Sequence, residues 1–365
     1  MRELGISIYP FHATLEENKN YIKLASKYGY TRVFTCLLSV DGEKDKIISE
    51  FKETIQCAND HGMKVIVDVA PSIFDKLNIS YDDLSFFKEI GAYGLRLDLG
   101  FSGNEESLMT FNPHGLMIEI NMSQDTNYLN TIMDYMPNTN RLIGCHNFYP
   151  HRYTGLSREH FRKCNKRFKE FSLVKSAFVT AQSATFGPWP ANDGLCTLEE
   201  HRDLPIEVQG RDLFNEGIDV VIISNCFPSE EELRKLSEIN REMLQLECIV
   251  HQNIREIEQK IVEEELHYHR GDEGEYLIRS TQSRVKYKGT NFDLYNPVDI
   301  EKGDILIESS LYGQYAGELH IARKPMKNCG KTNVVGKLKK EYLGLLDQIK
   351  PWQKFKLVID NKEEI

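Results

Sequence analysis

The sequence predicts an α/β protein, with a (β/α)8 TIM barrel over its first two-thirds and a small β-rich domain after it. Three observations carry this. Between Leu4 and Asn225, eight short apolar runs rich in Ile and Val alternate with longer amphipathic stretches. Such alternation builds parallel βαβ units, and about eight of them close a barrel. No Gly-rich phosphate-binding turn follows the first run, which argues against an open doubly wound sheet. Beyond Gly271 the texture changes to short strand-like runs separated by turns.

The eight runs cover residues 4–9, 32–37, 64–69, 93–98, 116–121, 142–147, 176–182 and 220–225. Residues 15–28, 45–61, 125–135 and 157–171 carry helical spacing between them. Ser229 and Glu232, just after Pro228, form a capping-box pattern that predicts a helix behind the eighth run. Residues 241–269 are charged and read as helix, and the domain boundary is placed inside this stretch. That gives a barrel domain over residues 1–245 and a second domain over 246–365. In the second domain, residues 275–280, 292–294, 304–309 and 318–322 read as strands, with a turn at Lys302-Gly303-Asp304.

Composition excludes several functions. Hydrophobic residues make up 41% and charged residues 27% of the 365, as in a globular protein. The formal net charge of -10 disfavours nucleic acid, which needs a basic face. No run of about 18 apolar residues is present to span a membrane, and MRELGISIYP lacks the apolar region of a signal peptide. The eight cysteines are scattered, without a CxxC pair, and read as reduced thiols of a cytoplasmic protein. Gly330-Lys331-Thr332 resembles the end of a P-loop, but position 325 is Pro where that motif requires Gly. No HExxH, GxSxG or Cys/His zinc spacing occurs, so no cofactor or metal is expected. No strand end offers the lysine of a Schiff-base aldolase.

Strand alternation indicates what each run sends toward the barrel mouth, where such folds place their active sites. Asp68 follows Ile66 on one face of the third run. Arg96 and Asp98 share a face of the fourth, and Met117, Glu119 and Asn121 a face of the fifth. Gly144 aligns with His146 in the sixth, and Thr180 with Gln182 in the seventh. A buried ion pair of Arg96 with Asp98 or Glu119 would explain some of these polar residues without function. As a set they are read as a site. Two long connections support this. The first, after the sixth run, holds Phe148, Tyr149, His151 and Arg152. The second, after the seventh, holds Thr185, Gly187 and Trp189. Trp189 suits stacking on a sugar. Thr185, Gly187 and Asn225, with His151 and Arg152 in reach, suit an anion.

The segments Gly5-Ile6-Ser7-Ile8-Tyr9-Pro10, Leu95-Arg96-Leu97-Asp98, Glu119-Ile120-Asn121, His146-Asn147-Phe148-Tyr149-Pro150 and Thr180-Ala181-Gln182 occur in this order. They are followed by Tyr312-Gly313-Gln314-Tyr315-Ala316-Gly317-Glu318-Leu319 and Asn333-Val334-Val335-Gly336. Together they resemble the bacterial 6-phospho-N-acetylmuramidase (MupG-type) family across essentially the whole chain. The resemblance implies a cytoplasmic glycoside hydrolase that splits N-acetylmuramic acid 6-phosphate–N-acetylglucosamine in cell-wall (peptidoglycan) recycling. It also implies a cyclophilin-like C-terminal domain.

Glycosidic cleavage commonly uses two carboxyl groups. Asp98 and Glu119 are the expected pair, with Asp68 third. Ser7, Tyr9, Arg96, Asn121, His146, Asn147, Tyr149, His151, Arg152, Gln182, Thr185, Trp189 and Asn225 are the expected substrate contacts. The partner expected is the small phosphorylated disaccharide. A homodimer is compatible with the sequence, which does not specify oligomeric state. Two alternatives stay open. One is a metal-dependent sugar-phosphate isomerase or epimerase using Asp68, Glu119 and His146. The other is a non-catalytic sugar-phosphate binding protein. Glu318 or Arg323 of the second domain is a further candidate for closing over the barrel mouth.

Overall fold

The computed structural model describes residues 2–37, 44–69, 74, 79–184 and 186–360. The chain divides into two compact units, Met1–Ile239 and Asn240–Ile365.

In the first unit, eight parallel strands close a barrel in sequential order. They are β1 (Glu3–Ile8), β2 (Arg32–Cys36), β3 (Lys64–Val69), β4 (Gly94–Leu97), β5 (Met117–Asn121), β6 (Leu142–Cys145), β7 (Lys175–Val179) and β8 (Val220–Ile223). Leu4 pairs with Val221 to complete the ring. The helices are α1 (Leu15–Lys27), α2 (Lys44–Asp60), α3 (Ser85–Glu89), α4 (Asn104–Met109), α5 (Tyr128–Asp134), α6 (Arg158–Glu170), α7 (Ile206–Asn215) and α8 (Glu230–Glu238). All eight expected strands form, several with shorter C-terminal ends.

Period-two alternation sorts the side chains. Leu4, Ile6 and Ile8, then Val65, Val67 and Val69, Leu95 and Leu97, and Ile118 and Ile120 join one apolar core with Ile22 and Ala25 of α1 and Phe161 and Phe168 of α6. This is the layer between sheet and helices. The opposite parity points into the barrel, where Tyr9, Phe34, Cys36, Cys145, Phe178, Val220, Ile222 and Cys226 pack together. α1 begins with a complete capping box, Thr14 with Glu17. α8 keeps only half of the expected one. Ser229 Oγ accepts from the Glu232 amide, but the Glu232 carboxylate leaves its own helix and accepts the backbone N–H groups of Gln182 and Ser183.

The second unit is a seven-stranded sheet in the order β10-β15-β9-β14-β12-β13-β11. Its strands are β9 (Leu244–Val250), β10 (His267–Tyr268), β11 (Leu277–Ser280), β12 (Asp304–Glu308), β13 (Leu319–Ala322), β14 (Thr332–Leu338) and β15 (Lys354–Ile359). The β9–β15 pair is parallel. Residues 241–269 correct the helical reading. They form β9, then α9 (Glu256–Glu263), then β10. Leu244, Leu246 and Cys248 are buried alternately with more exposed Gln245 and Glu247. The period is two, hidden by the charges on the outer face. Residues 292–294 form no strand. Phe292 instead buries its ring from a loop, against Gly317, where a Cβ would clash with it.

Among the described residues no helix is long and apolar enough to cross a membrane. All eight cysteines are free, and only Cys329 is exposed.

Gly94 sets how closely β4 and β5 approach beneath the site. A Cβ there would lie 2.5 Å from the Met117 carbonyl oxygen and 2.8 Å from Met117 Cβ. Both atoms belong to the stiff part of a neighbouring strand. Gly94→Ala should therefore destabilise the protein by about 2 kcal/mol in urea unfolding. An unchanged unfolding midpoint would show that the strands can separate freely.

Candidate active site

β3 and β4 deliver the charged centre. In register, Cys36 pairs with Asp68, Asp68 with Arg96, and Arg96 with Glu119. Four adjacent strands thus raise polar groups into the barrel at one level. Arg96 is 2% exposed. Its Nη1 donates to Asp68 Oδ1 at 2.7 Å and to Asp98 Oδ1 at 3.2 Å. Its Nη2 donates to Asn147 Oδ1. Burial alone would lower the Arg96 pKa. The surrounding carboxylates, Asp68 foremost, outweigh this and raise it. Burial raises the Asp68 pKa against the opposing pull of Arg96.

A cavity of about 120 Å³ opens on this cluster. Phe34, Cys36, Asp68, Arg96, Asp98, Asn147, Phe148, Phe178 and Trp189 line it. Phe34, Phe148 and Phe178 meet edge to face in all three pairs and form its apolar wall. A second cavity of about 180 Å³ also includes Asp98. Its other walls are Leu99, Gly100, Phe101, Asn121, Gln124, Thr126 and Tyr128.

The expected pairing of Asp98 with Glu119 needs correcting. Glu119 is 1% exposed and lines neither cavity. Its Oε1 has no hydrogen-bond partner, and burial raises its pKa against the pull of Arg32 and Arg96. It sits inside the barrel, in register beside Arg96. The carboxyls that the first cavity presents are Asp68 and Asp98. The side chain of Asp98 is 41% exposed and that of Asp68 only 6%.

His146 is also corrected. β6 sends Ile143 and Cys145 inward, so Gly144 and His146 face the helices. A Cβ on Gly144 would overlap Phe168 of α6. His146 is fully buried and stacks on Phe161 at 4.6 Å between ring centres. Its Nδ1 meets Ser123 Oγ at 3.2 Å and its Nε2 meets Asn165 Oδ1 at 3.0 Å. The ligand trio expected for the isomerase alternative therefore does not assemble, because His146 lies on the far side of the sheet from Asp68 and Glu119.

The expected anion site after β7 and β8 is filled from within. Glu232 takes the amides of Gln182 and Ser183, and Ser183 Oγ accepts from the Ser229 amide. Asn225 is 1% exposed and spends its side chain on Ala181 N, Ala181 O and Thr180 Oγ1. Gly187 packs against Leu195, and Thr185 lies outside the described residues. Arg152 is neutralised by Asp203 through two bonds of 2.7 and 2.9 Å. His151 turns its Nδ1 to the Arg152 carbonyl at 2.7 Å.

The remaining expected contacts divide between cavity and scaffold. Asn147, Trp189 and Asn121 line the cavities. Ser7 and Tyr9 belong to the barrel interior. Ser7 Oγ lacks a partner, and the Tyr9 hydroxyl donates to the Ser224 carbonyl at 2.5 Å. Gln182 donates to the carbonyls of Arg202 and Leu204. Tyr149 gives its carbonyl to Arg202, which also binds the carbonyl of Gly194 and the carboxylate of Glu199. Arg202, unnoticed in the sequence, thereby pins the loops after β6 and β7. Phe34, Phe178, Gln124, Thr126 and Tyr128 were also missed. They carry no charge, and only strand parity or loop position marks them. Glu318, expected at a mouth, is fully buried in the second unit between Arg279 and Arg284.

Comparison with known proteins places these features in context. Residues 4–238 match the family model for the N-terminal domain of 6-phospho-N-acetylmuramidase, and residues 244–358 match the C-terminal one. A B. cereus protein of known structure, described as uncharacterized, is 48% identical, with a TM-score of 0.90 over 98% of this chain and 99% of its own. A conserved Enterococcus faecalis protein with an unknown function shares the fold at 23% identity and a TM-score of 0.70, covering 99% of this chain and 97% of its own. A search of curated proteins returns no match.

Burial pushes the His146 pKa down to about 3. The folded state therefore holds a neutral ring that the unfolded chain protonates below about pH 6.5. Its contribution to stability is complete above that pH and is lost as the pH falls toward 3. His146→Gln should flatten the acid-side loss of unfolding free energy by up to about 1.4 kcal/mol per pH unit between roughly pH 6 and pH 4. Identical slopes for variant and parent in urea melts would contradict the buried neutral histidine.

Proposed function

The chain belongs to the 6-phospho-N-acetylmuramidase family, a family of glycosidases, and from this premise we propose that it hydrolyses N-acetylmuramic acid 6-phosphate–N-acetylglucosamine during cytoplasmic recycling of cell-wall fragments. The observation that carries the reading is the sharing of Arg96 Nη1 by Asp68 and Asp98 on the wall of one cavity. Free thiols in all eight cysteines agree with a reducing compartment.

Asp98 is the more loosely held and the more exposed carboxyl, and it borders both cavities. It is the group placed to give a proton to the glycosidic oxygen. Asp68, deeper and tied to Arg96 at 2.7 Å, is the base or nucleophile. Arg96 limits the repulsion and fixes both oxygens. Bonds of 2.7 and 3.2 Å to one nitrogen keep the two near oxygens within about 6 Å. That spacing is closer to a retaining than to an inverting pair. The three phenylalanines would exclude water from one side of the sugar, and Trp189 would stack at the rim.

Incubation with the disaccharide phosphate should release N-acetylglucosamine, and proton NMR should show the muramic product first as the anomer of the substrate. Asp68→Asn and Asp98→Asn should each lower kcat/KM by about 10³-fold or more, with folding retained. Glu119→Gln should keep at least about a tenth of the activity. A folded Glu119→Gln with no turnover, beside an active Asp68→Asn, would move the chemistry back to Glu119 and overturn the assignment.

A further inference from the structure

Resting on the hydrolase reading, we propose that Cys36 is a positioning residue for the reaction: its thiol holds the second oxygen of Asp68 and so sets the plane of that carboxyl in the cavity. Arg96 Nη1 takes only Asp68 Oδ1, at 2.7 Å. The other oxygen, Oδ2, accepts from the Cys36 thiol, with Sγ at 3.7 Å. Asp68 is therefore held from two neighbouring strands, by one contact on each oxygen.

Backbone pairing puts the thiol there. Cys36 ends β2 and stands in register with Asp68 of β3. The Leu37 amide donates to the Asp68 carbonyl at 2.9 Å and ties the two strand ends together. Both side chains share the inward parity and line the first cavity. The terminal torsion of an aspartate is broad, so a carboxyl turns easily about its Cβ–Cγ bond. A single N–H on one oxygen leaves much of that rotation open. A second contact on the other oxygen closes it.

The surroundings explain why a thiol stands here. Cys36 is buried in the barrel interior in one cluster with Tyr9, Phe34 and Phe178. Sulfur packs favourably against aromatic rings. An S–H group is also a weak donor. It orients the carboxylate while taking away little of the basicity that a base or nucleophile needs. Burial first, and then the Asp68 charge, raise the Cys36 pKa well above that of a free thiol. The sulfur therefore keeps its proton and stays a donor. The other titratable groups that face Asp68 are Arg96 on β4, Asp98 just past it, Glu119 on β5, Cys145 on β6 and Tyr9 just past β1. None of them is altered by a substitution at position 36, so a change in Asp68 behaviour reports on the thiol.

The test follows hydrolysis of the disaccharide phosphate across pH in three variants. Cys36→Ser keeps a donor, Cys36→Val keeps the bulk without a donor, and Cys36→Ala keeps neither. Cys36→Ser should stay within about threefold of the parent in kcat. Cys36→Val and Cys36→Ala should each lose about fivefold or more in kcat, with KM little changed. A carboxylate that loses a donor holds its proton more tightly. The acid limb of kcat/KM should therefore move up by about half a pH unit in Cys36→Val and Cys36→Ala and stay in place in Cys36→Ser. Urea melts check that each variant is folded, and Cys36→Ala keeps the comparison intact where valine overpacks. Donorless variants with the parent's kcat and acid limb, or Cys36→Ser impaired as much as they are, overturn the positioning role while the hydrolase reading stands. A parent enzyme that does not cleave the disaccharide phosphate overturns the hydrolase reading itself.

Discussion

The barrel mouth is organised around one buried cation. Arg96 rises from β4 with 2% of its surface exposed and needs partners, because an unpaired charge at that depth is very costly. It draws them from neighbouring segments: Asp68 on β3, Asp98 just past β4 and Asn147 just past β6. Each partner is oriented in turn. The Asn147 amide donates to Ser123 Oγ and its carbonyl accepts from Thr197 Oγ1. The result is a gradient across one guanidinium, from a sealed carboxyl to an accessible one. That asymmetry is what acid–base work on a glycosidic bond requires.

Elsewhere the first unit fills with its own carboxylates the places where a barrel might hold an anion. Glu232 occupies backbone N–H groups after β7, and Glu106 occupies those between β4 and α4. Backbone donors aimed at a ligand attract phosphate only while they are vacant. Here they rigidify loops instead.

Much of this was legible from residue order. The βα alternation predicted all eight barrel strands, since parallel strands buried on both faces read as Ile- and Val-rich runs. The same parity reasoning pointed to Asp68, Arg96, Asp98 and Asn121, which line the two cavities. It failed at His146 because parity defines two faces without saying which points inward. Gly144 held the clue, since the helix packing there tolerates no side chain. Glu119 does point inward but lines neither cavity. Strand parity gives direction and not depth. Asn225, Gln182 and Arg152 look like ligand contacts as residue types, yet each is spent on the protein, which only three-dimensional hydrogen-bond accounting reveals. In the second unit β9 was missed because charges at Glu247 and beyond masked a period of two.

The central claim is that the bond to be broken lies across Asp98, with Asp68 beneath it. The most direct measurement is a crystal structure of the Asp98→Asn variant holding the uncleaved disaccharide phosphate. The account predicts the glycosidic oxygen at about 3 Å from the side chain of residue 98, and the anomeric carbon facing the Asp68 carboxyl. A disaccharide bound at the mouth with its glycosidic oxygen beyond hydrogen-bond reach of residue 98, or with Glu119 drawn up to the anomeric carbon, would contradict it.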